Sequence, residues 1–124
     1  MAADLDRYCV NDTFTIKEVM ETFEVNNERV AVVRNQNKKV VGVISQGDII
    51  RALAAGMDLF AYVQQIIQPS FLYRHKVDME EIYNIFRTKK ITLLPIVDAN
   101  FYLTDVVTLS NVFHYLEEKG EEKS

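Results

Sequence analysis

Apolar residues fall at helical spacing twice along this chain, and valine-rich or leucine-rich runs follow each time. Ile16, Val19, Met20 and Phe23 stand at i, i+3, i+4 and i+7, which predicts a helix over Thr15 to Glu24 with one apolar face. Thr15 and Glu18 have capping-box spacing at its start, and Asn26 and Asn27 are stop residues. A strand from Arg29 to Arg34 follows, then a polar turn over Asn35 to Lys38 and a second strand from Lys39 to Ile44. A second helix is predicted from about Gln46 to Ala55, with Ile49, Ile50 and Leu53 on one face and Gly56 ending it.

The same order then recurs. Met79, Ile82, Tyr83 and Phe86 repeat the first helical face, and Asp78 and Glu81 stand where Thr15 and Glu18 stood. Leu93-Leu94-Pro95-Ile96-Val97-Asp98 repeats the first strand, Asp98 to Asn100 the turn, and Leu103 to Val107 the second strand. Val112, Phe113 and Leu116 repeat Ile49, Ile50 and Leu53. The offset, from Ile16 to Met79, is 63 residues. Four elements in one order at one offset indicate an internal duplication.

Each half reads as β-α-β-β-α, counting a short extended piece at its start. Neither half can cover both faces of so small a sheet. The expected fold is therefore of the α/β (α+β) class: two pseudo-twofold-related units, their small sheets packed face to face, with flanking helices and clefts between the halves. The expected boundaries are 1–57 for the first repeat, 58–73 for an ordered connection, 74–117 for the second repeat and 118–124 for a charged tail. The connection carries Phe60, Tyr62, Val63, Ile66 and Ile67, too apolar for a free linker.

Composition narrows the function. At 48% hydrophobic residues the chain has material for a core, yet no run is long enough for a membrane span. The first residues, Met1 to Arg7, lack the pattern of a signal peptide. A formal net charge of −4 argues against non-specific nucleic-acid binding. Cys9, the single cysteine, has no partner for a disulfide and no matched His/Asp set for nucleophilic catalysis. A reduced, cytoplasmic setting is the simplest expectation. His75 and His114 have no metal-ligand spacing. Neither a glycine-rich phosphate loop nor paired catalytic carboxylates stand out, so no catalytic or metal site is expected.

The run Val40-Val41-Gly42-Val43-Ile44-Ser45-Gln46-Gly47-Asp48-Ile49-Ile50 resembles the signature of a cystathionine-β-synthase (CBS) domain, and Leu93-Leu94-Pro95-Ile96-Val97-Asp98 is similar to that family's proline strand. The resemblance covers about residues 6 to 117. It implies a tandem pair, or Bateman module, that binds an adenine nucleotide such as AMP, ADP or ATP, requires no cofactor, and regulates an attached or partner enzyme without catalysis of its own. By resemblance Asp48 takes the ribose and Ser45 lies near the phosphate, with Val43 and Gly47 beside them. From the other half the resemblance brings Gln68, Ser70, Phe71, Ile91 and Thr92 around the base, and Lys90 is a candidate phosphate partner. Arg51 and Arg74 are further candidate cations. The physics of a helix start suits an anion, and Gly47 permits close approach. Ser45 and Asp48 are equally the S-x-x-D of a plain helix cap.

The second copy departs from the pattern. Asp105 stands for the glycine and Asn111 for the ribose aspartate. Asn27 and Glu28 of the first copy are set against Ile91 and Thr92 of the second, and a glutamate there would repel phosphate. One good nucleotide site is expected, or, as the competing reading, a structural dimerisation module with empty clefts. The run Gly47 to Leu53, followed by Gly56-Met57-Asp58-Leu59, looks like modules attached to sugar nucleotidyltransferases or arabinose-5-phosphate isomerases. The Asp105 variant and the position of Met1 suit an N-terminal pair on the former. A homodimer is expected, through the faces carrying Met20, Tyr83 and Phe86.

Overall fold

The computed structural model describes residues 4–68 and 70–123. A short 3-10 turn, Leu5–Tyr8, leads into strand β1 (Cys9–Asn11), helix α1 (Ile16–Asn26), strands β2 (Val30–Arg34) and β3 (Val40–Ser45), and helix α2 (Gln46–Ala54). A second 3-10 turn, Val63–Gln65, lies in the connection. Helix α3 (Met79–Lys89), strands β4 (Leu93–Val97) and β5 (Leu103–Thr108), and helix α4 (Leu109–Lys123) complete the chain.

The duplication holds element by element at the same offset of 63, the step from Ile16 to Met79. The register slip between Val33 and Arg34 in the first hairpin returns between Ile96 and Val97 in the second. Asn35 Oδ1 accepts from the amides of Asn37 and Lys39, and Asp98 Oδ1 accepts from those of Asn100 and Tyr102. Lys38 and Phe101 then close the two turns in the left-handed region, at φ 64° and 67°. A side-chain oxygen that takes two turn amides explains why Asn and Asp serve alike here. Helices α1 and α3 both end on a left-handed residue, Asn27 and Lys90. Asn27 is therefore the counterpart of Lys90, and Glu28 that of Ile91. This shifts by one the pairing expected from sequence, because the helix stop rather than the polarity of the loop sets the register.

Strand β2 lies between β1, parallel to it, and β3, antiparallel to it. Strands β4 and β5 form the second sheet. Among the described residues its outer edge keeps one parallel bridge, Arg74 to Ile96, where the first sheet has β1. Pro95 has no N–H to offer a third strand, and the bridge is held by Arg74 N on the Pro95 carbonyl and Val97 N on the Arg74 carbonyl.

Alternation along the strands sorts side chains into three layers. Cys9, Val32 and Val40 from the first sheet meet Leu93, Val97 and Val106 from the second, so the two sheets pack face to face. Ala31, Val33 and Ile44 point the other way, under Ile16 and Val19 of α1 and Ile49 of α2. Leu94, Ile96 and Val107 lie under Ile82, Phe86 and Val112. Fully burying each such side chain is worth about 1.5–3 kcal/mol, which is why β2 and β4 tolerate no polar residue inside. Val63, Ile66 and Ile67 bring the connection onto the first core. It is stitched there by Ile16 N on the Ala61 carbonyl, Lys17 N on that of Leu59 and Val63 N on that of Phe14. Phe60 and Tyr62 remain exposed.

Two expected faces change. Ile49 and Val112 are buried, but Ile50 and Phe113 turn outward at 59% and 56% exposure. Adjacent residues on a helix diverge by about 100°, and the core beneath takes only one of them. Phe86, expected on a dimer contact, is buried against the second core, and Tyr83 packs at its edge.

Candidate functional site

Helix α2 begins in a full capping box. Asp48 N donates to Ser45 Oγ at 3.2 Å, while Asp48 Oδ2 accepts from Ser45 N and from Ser45 Oγ, each at 2.9 Å. Gln46 N donates to the Arg29 carbonyl. The cap reading of S-x-x-D is therefore realised, and the helix start has fewer idle donors than its position alone suggests. Asp48 Oδ1 accepts from Arg51 Nη2 at 2.5 Å. A Cβ on Gly47 would stand 3.3 Å from Arg51 Nη1, so the glycine makes room for this arginine.

A cavity of about 300 Å³ opens beside the box, lined by Val30, Val43, Ser45 and Asp48 from the first repeat and Lys90, Ile91, Thr92 and Leu93 from the second. Val43, Ser45, Asp48, Lys90, Ile91 and Thr92 are thus brought together as a set. Val30 and Leu93, equivalent residues at the starts of β2 and β4, add apolar wall that the sequence did not single out; the signal was that Leu93 directly follows Thr92, with Val30 its counterpart in the first repeat. Lys90 is exposed, and among the described residues its ammonium has no ion-pair partner.

The other four named residues lie elsewhere. Gly47 sits beneath Arg51. Gln68 lines a neighbouring groove of about 340 Å³ with Asp48, Arg51, Ala52, Met57 and Gln65 to Ile67. It reaches there because the connection passes close over Gly42, whose Cβ position lies 3.5 Å from Ile67 Cβ. Ser70 is exposed and lines neither. Phe71 packs against the central core, its ring 5.3 Å from that of Tyr73. Arg74 is bound to Glu81 and the Tyr73 carbonyl.

In the second copy Asn111 Oδ1 accepts from Thr108 N and Thr108 Oγ1, and Asn111 N donates back to Thr108 Oγ1. The box survives with an amide in place of the carboxylate. Glu28 is half-buried, and desolvation raises its carboxyl above the ordinary 4.5, with nearby Arg7 pulling the other way. Cys9 is buried; its thiol donates to the Leu5 carbonyl, and burial pushes its pKa up to about 11 against the pull of Arg34. It is held as a neutral core residue.

Residues 2–55 match the CBS domain family. The chain has the architecture of a tandem CBS domain pair. Solved structures of such pairs superpose on nearly its whole length. The CBS domains of a transcriptional regulator from Streptococcus pneumoniae match at TM-score 0.76 and 20% identity, covering 92% of this chain and 93% of that one. A CBS domain protein from Pyrobaculum aerophilum, complexed with AMP, matches at 0.73 and 23%, covering 89% and 90%. A CBS domain pair/ACT domain protein from Thermotoga maritima matches at 0.73 and 20%, covering 90% and 88%. A search of curated proteins finds no match. Among the described residues, no helix is long and apolar enough to cross a membrane, and no cluster of His, Cys, Asp and Glu is arranged to hold a metal.

Proposed function

We propose that this CBS pair is a regulatory sensor of an adenine nucleotide, bound in the cavity between Asp48 and Ile91 and controlling an attached or partner enzyme. The observation that carries the reading is the convergence of the α2 capping box with the α3–β4 loop on one apolar-walled cavity. Val30, Val43, Ile91 and Leu93 suit a purine face, Asp48 suits a ribose diol, and Lys90 suits a phosphate. The P. aerophilum protein, of the same fold, was solved with AMP, which supports the choice of ligand. Such a ligand touches both repeats, so it can bias how they sit together. The run Gly47 to Leu53 directs the partner reading toward an enzyme of sugar-nucleotide metabolism.

A thermal-shift series with AMP, ADP, ATP, S-adenosylmethionine and sugar nucleotides tests the reading. A ligand at one hundred times its Kd adds about 2.7 kcal/mol. The expected result is a rise of several degrees with an adenine nucleotide. No rise with any of them at millimolar concentration overturns the sensor reading.

A second reading, self-association, has its own observation: Ile50 and Phe113, equivalent residues on α2 and α4, are both exposed. A face repeated across the internal twofold suits a symmetric homodimer through α2 and α4. Light scattering of the parent and of Ile50→Glu/Phe113→Glu checks it, the parent dimeric and the variant monomeric.

A further inference from the structure

The cavity and the neighbouring groove have one lining residue in common, Asp48. Its two oxygens are held differently. Oδ2 belongs to the helix start, bound by Ser45 N and Oγ, and these bonds fix the carboxylate in place. Oδ1 is covered by Arg51, whose side chain is 71% exposed. An ion pair so open to water contributes little to the fold. Gly47 sets no Cβ against the guanidinium; one there would stand 3.3 Å from Arg51 Nη1. Arg51 is therefore a loosely held occupant of the one Asp48 oxygen that the cap does not use.

We propose that Arg51 is a specificity-determining residue that selects phosphorylated ligands over nucleosides, a role that rests on the sensor reading above. Without ligand, Arg51 neutralises Asp48 Oδ1. A ribose diol arriving at Asp48 competes for that oxygen and releases the guanidinium. A nucleoside gives nothing back for the lost ion pair. A nucleotide does: its phosphate accepts from the released guanidinium, whose planar fork suits bidentate recognition of phosphate oxygens. Lys90, on the opposite lip of the cavity, adds charge but has no share in the competition for Asp48. The same side chain thus penalises adenosine and favours AMP.

Titration calorimetry with adenosine, AMP and ATP on the parent, Arg51→Gln and Arg51→Lys tests this, with circular dichroism to confirm folding. Arg51→Gln is expected to weaken AMP and ATP by about tenfold or more, as for a lost hydrogen bond to a charged group. Adenosine is expected to bind as well as before or more tightly, so the preference for AMP over adenosine collapses. Arg51→Lys is expected to keep part of that preference. Equal weakening of adenosine and AMP, or no change in AMP, overturns the role of Arg51 while leaving the sensor reading intact. A parent that binds none of the three overturns the sensor reading and this inference together.

Discussion

Lys39 and Tyr102 stand at the same place in the two repeats and face each other. Their backbones form an antiparallel bridge, and Lys39 Nζ lies 5.8 Å from the centre of the Tyr102 ring. Two equivalent residues bridged antiparallel mark the position of an internal twofold axis. Val40 N donates to the Phe101 carbonyl beside them at 2.8 Å, so the two hairpins are tied there by main chain as well.

That pair yields a measurable coupling. Urea unfolding of Lys39→Ala, Tyr102→Ala and the double variant should give an interaction of about 0.5–1 kcal/mol, the range of a partly exposed cation–π contact. Additive single effects would mean that the ring and the ammonium do not sense each other.

Asp48→Asn is the sharpest probe of the site, because Asn111 already shows an amide filling the same box. The variant should fold with nearly the parent's stability, yet bind an adenine nucleotide more weakly by about 1.5–3 kcal/mol, the value of a hydrogen bond to a charged group. Asp48→Ala should weaken binding similarly and also cost about 0.5–2 kcal/mol of stability through the helix start. Asn111→Ala should lose stability without loss of affinity. Calorimetry and thermal melts on the three variants decide; affinity that falls with Asn111→Ala and not with Asp48→Asn assigns the ligand to the other cleft.

Glu28 makes a prediction about pH. Its carboxyl titrates above 4.5 in the folded chain, chiefly because it is partly desolvated. The folded state then binds that proton more tightly than the unfolded one, so the associated stability is present below pH 4.5 and is lost as pH rises through the folded value. Glu28→Gln removes the titration. The variant should gain on the parent between pH 4 and pH 7, by less than about 1 kcal/mol because the group keeps part of its contact with water and is screened. The loss of Arg7's attraction works in the opposite sense and is the smaller effect. Melts at the two pH values that show the variant losing ground as pH rises would reverse the assignment.

Most of the fold was legible because periodicity is a local property. Ile16, Val19 and Phe23 announce their helix wherever it packs, and Thr15 its cap. Ile50 and Phe113 were misplaced because spacing alone does not say which side of an apolar stripe meets the sheet. Ser45, Asp48, Ile91 and Thr92 come together at one cavity because their places in two motifs fix which elements carry them. Gln68, Ser70 and Phe71 lie outside the cavity, on a connection whose path is set by tertiary contacts with Gly42 and α1, which no local pattern encodes. The link from Asp48 to Arg51 had a local signal in its i, i+3 spacing, but only the structure shows Asp48 lining both cavity and groove and Arg51 lining the groove.

The unbroken offset of 63 residues between the copies has an experimental consequence. Turn for turn and bulge for bulge, each repeat is a built-in control for the other. Where Asp48 meets Asn111, or Ile91 meets Glu28, the backbone frame is held constant and only the side chain varies. A chimera that exchanges such pairs between the copies therefore isolates chemistry from geometry inside a single molecule, with both arms of the comparison read out in the same tube.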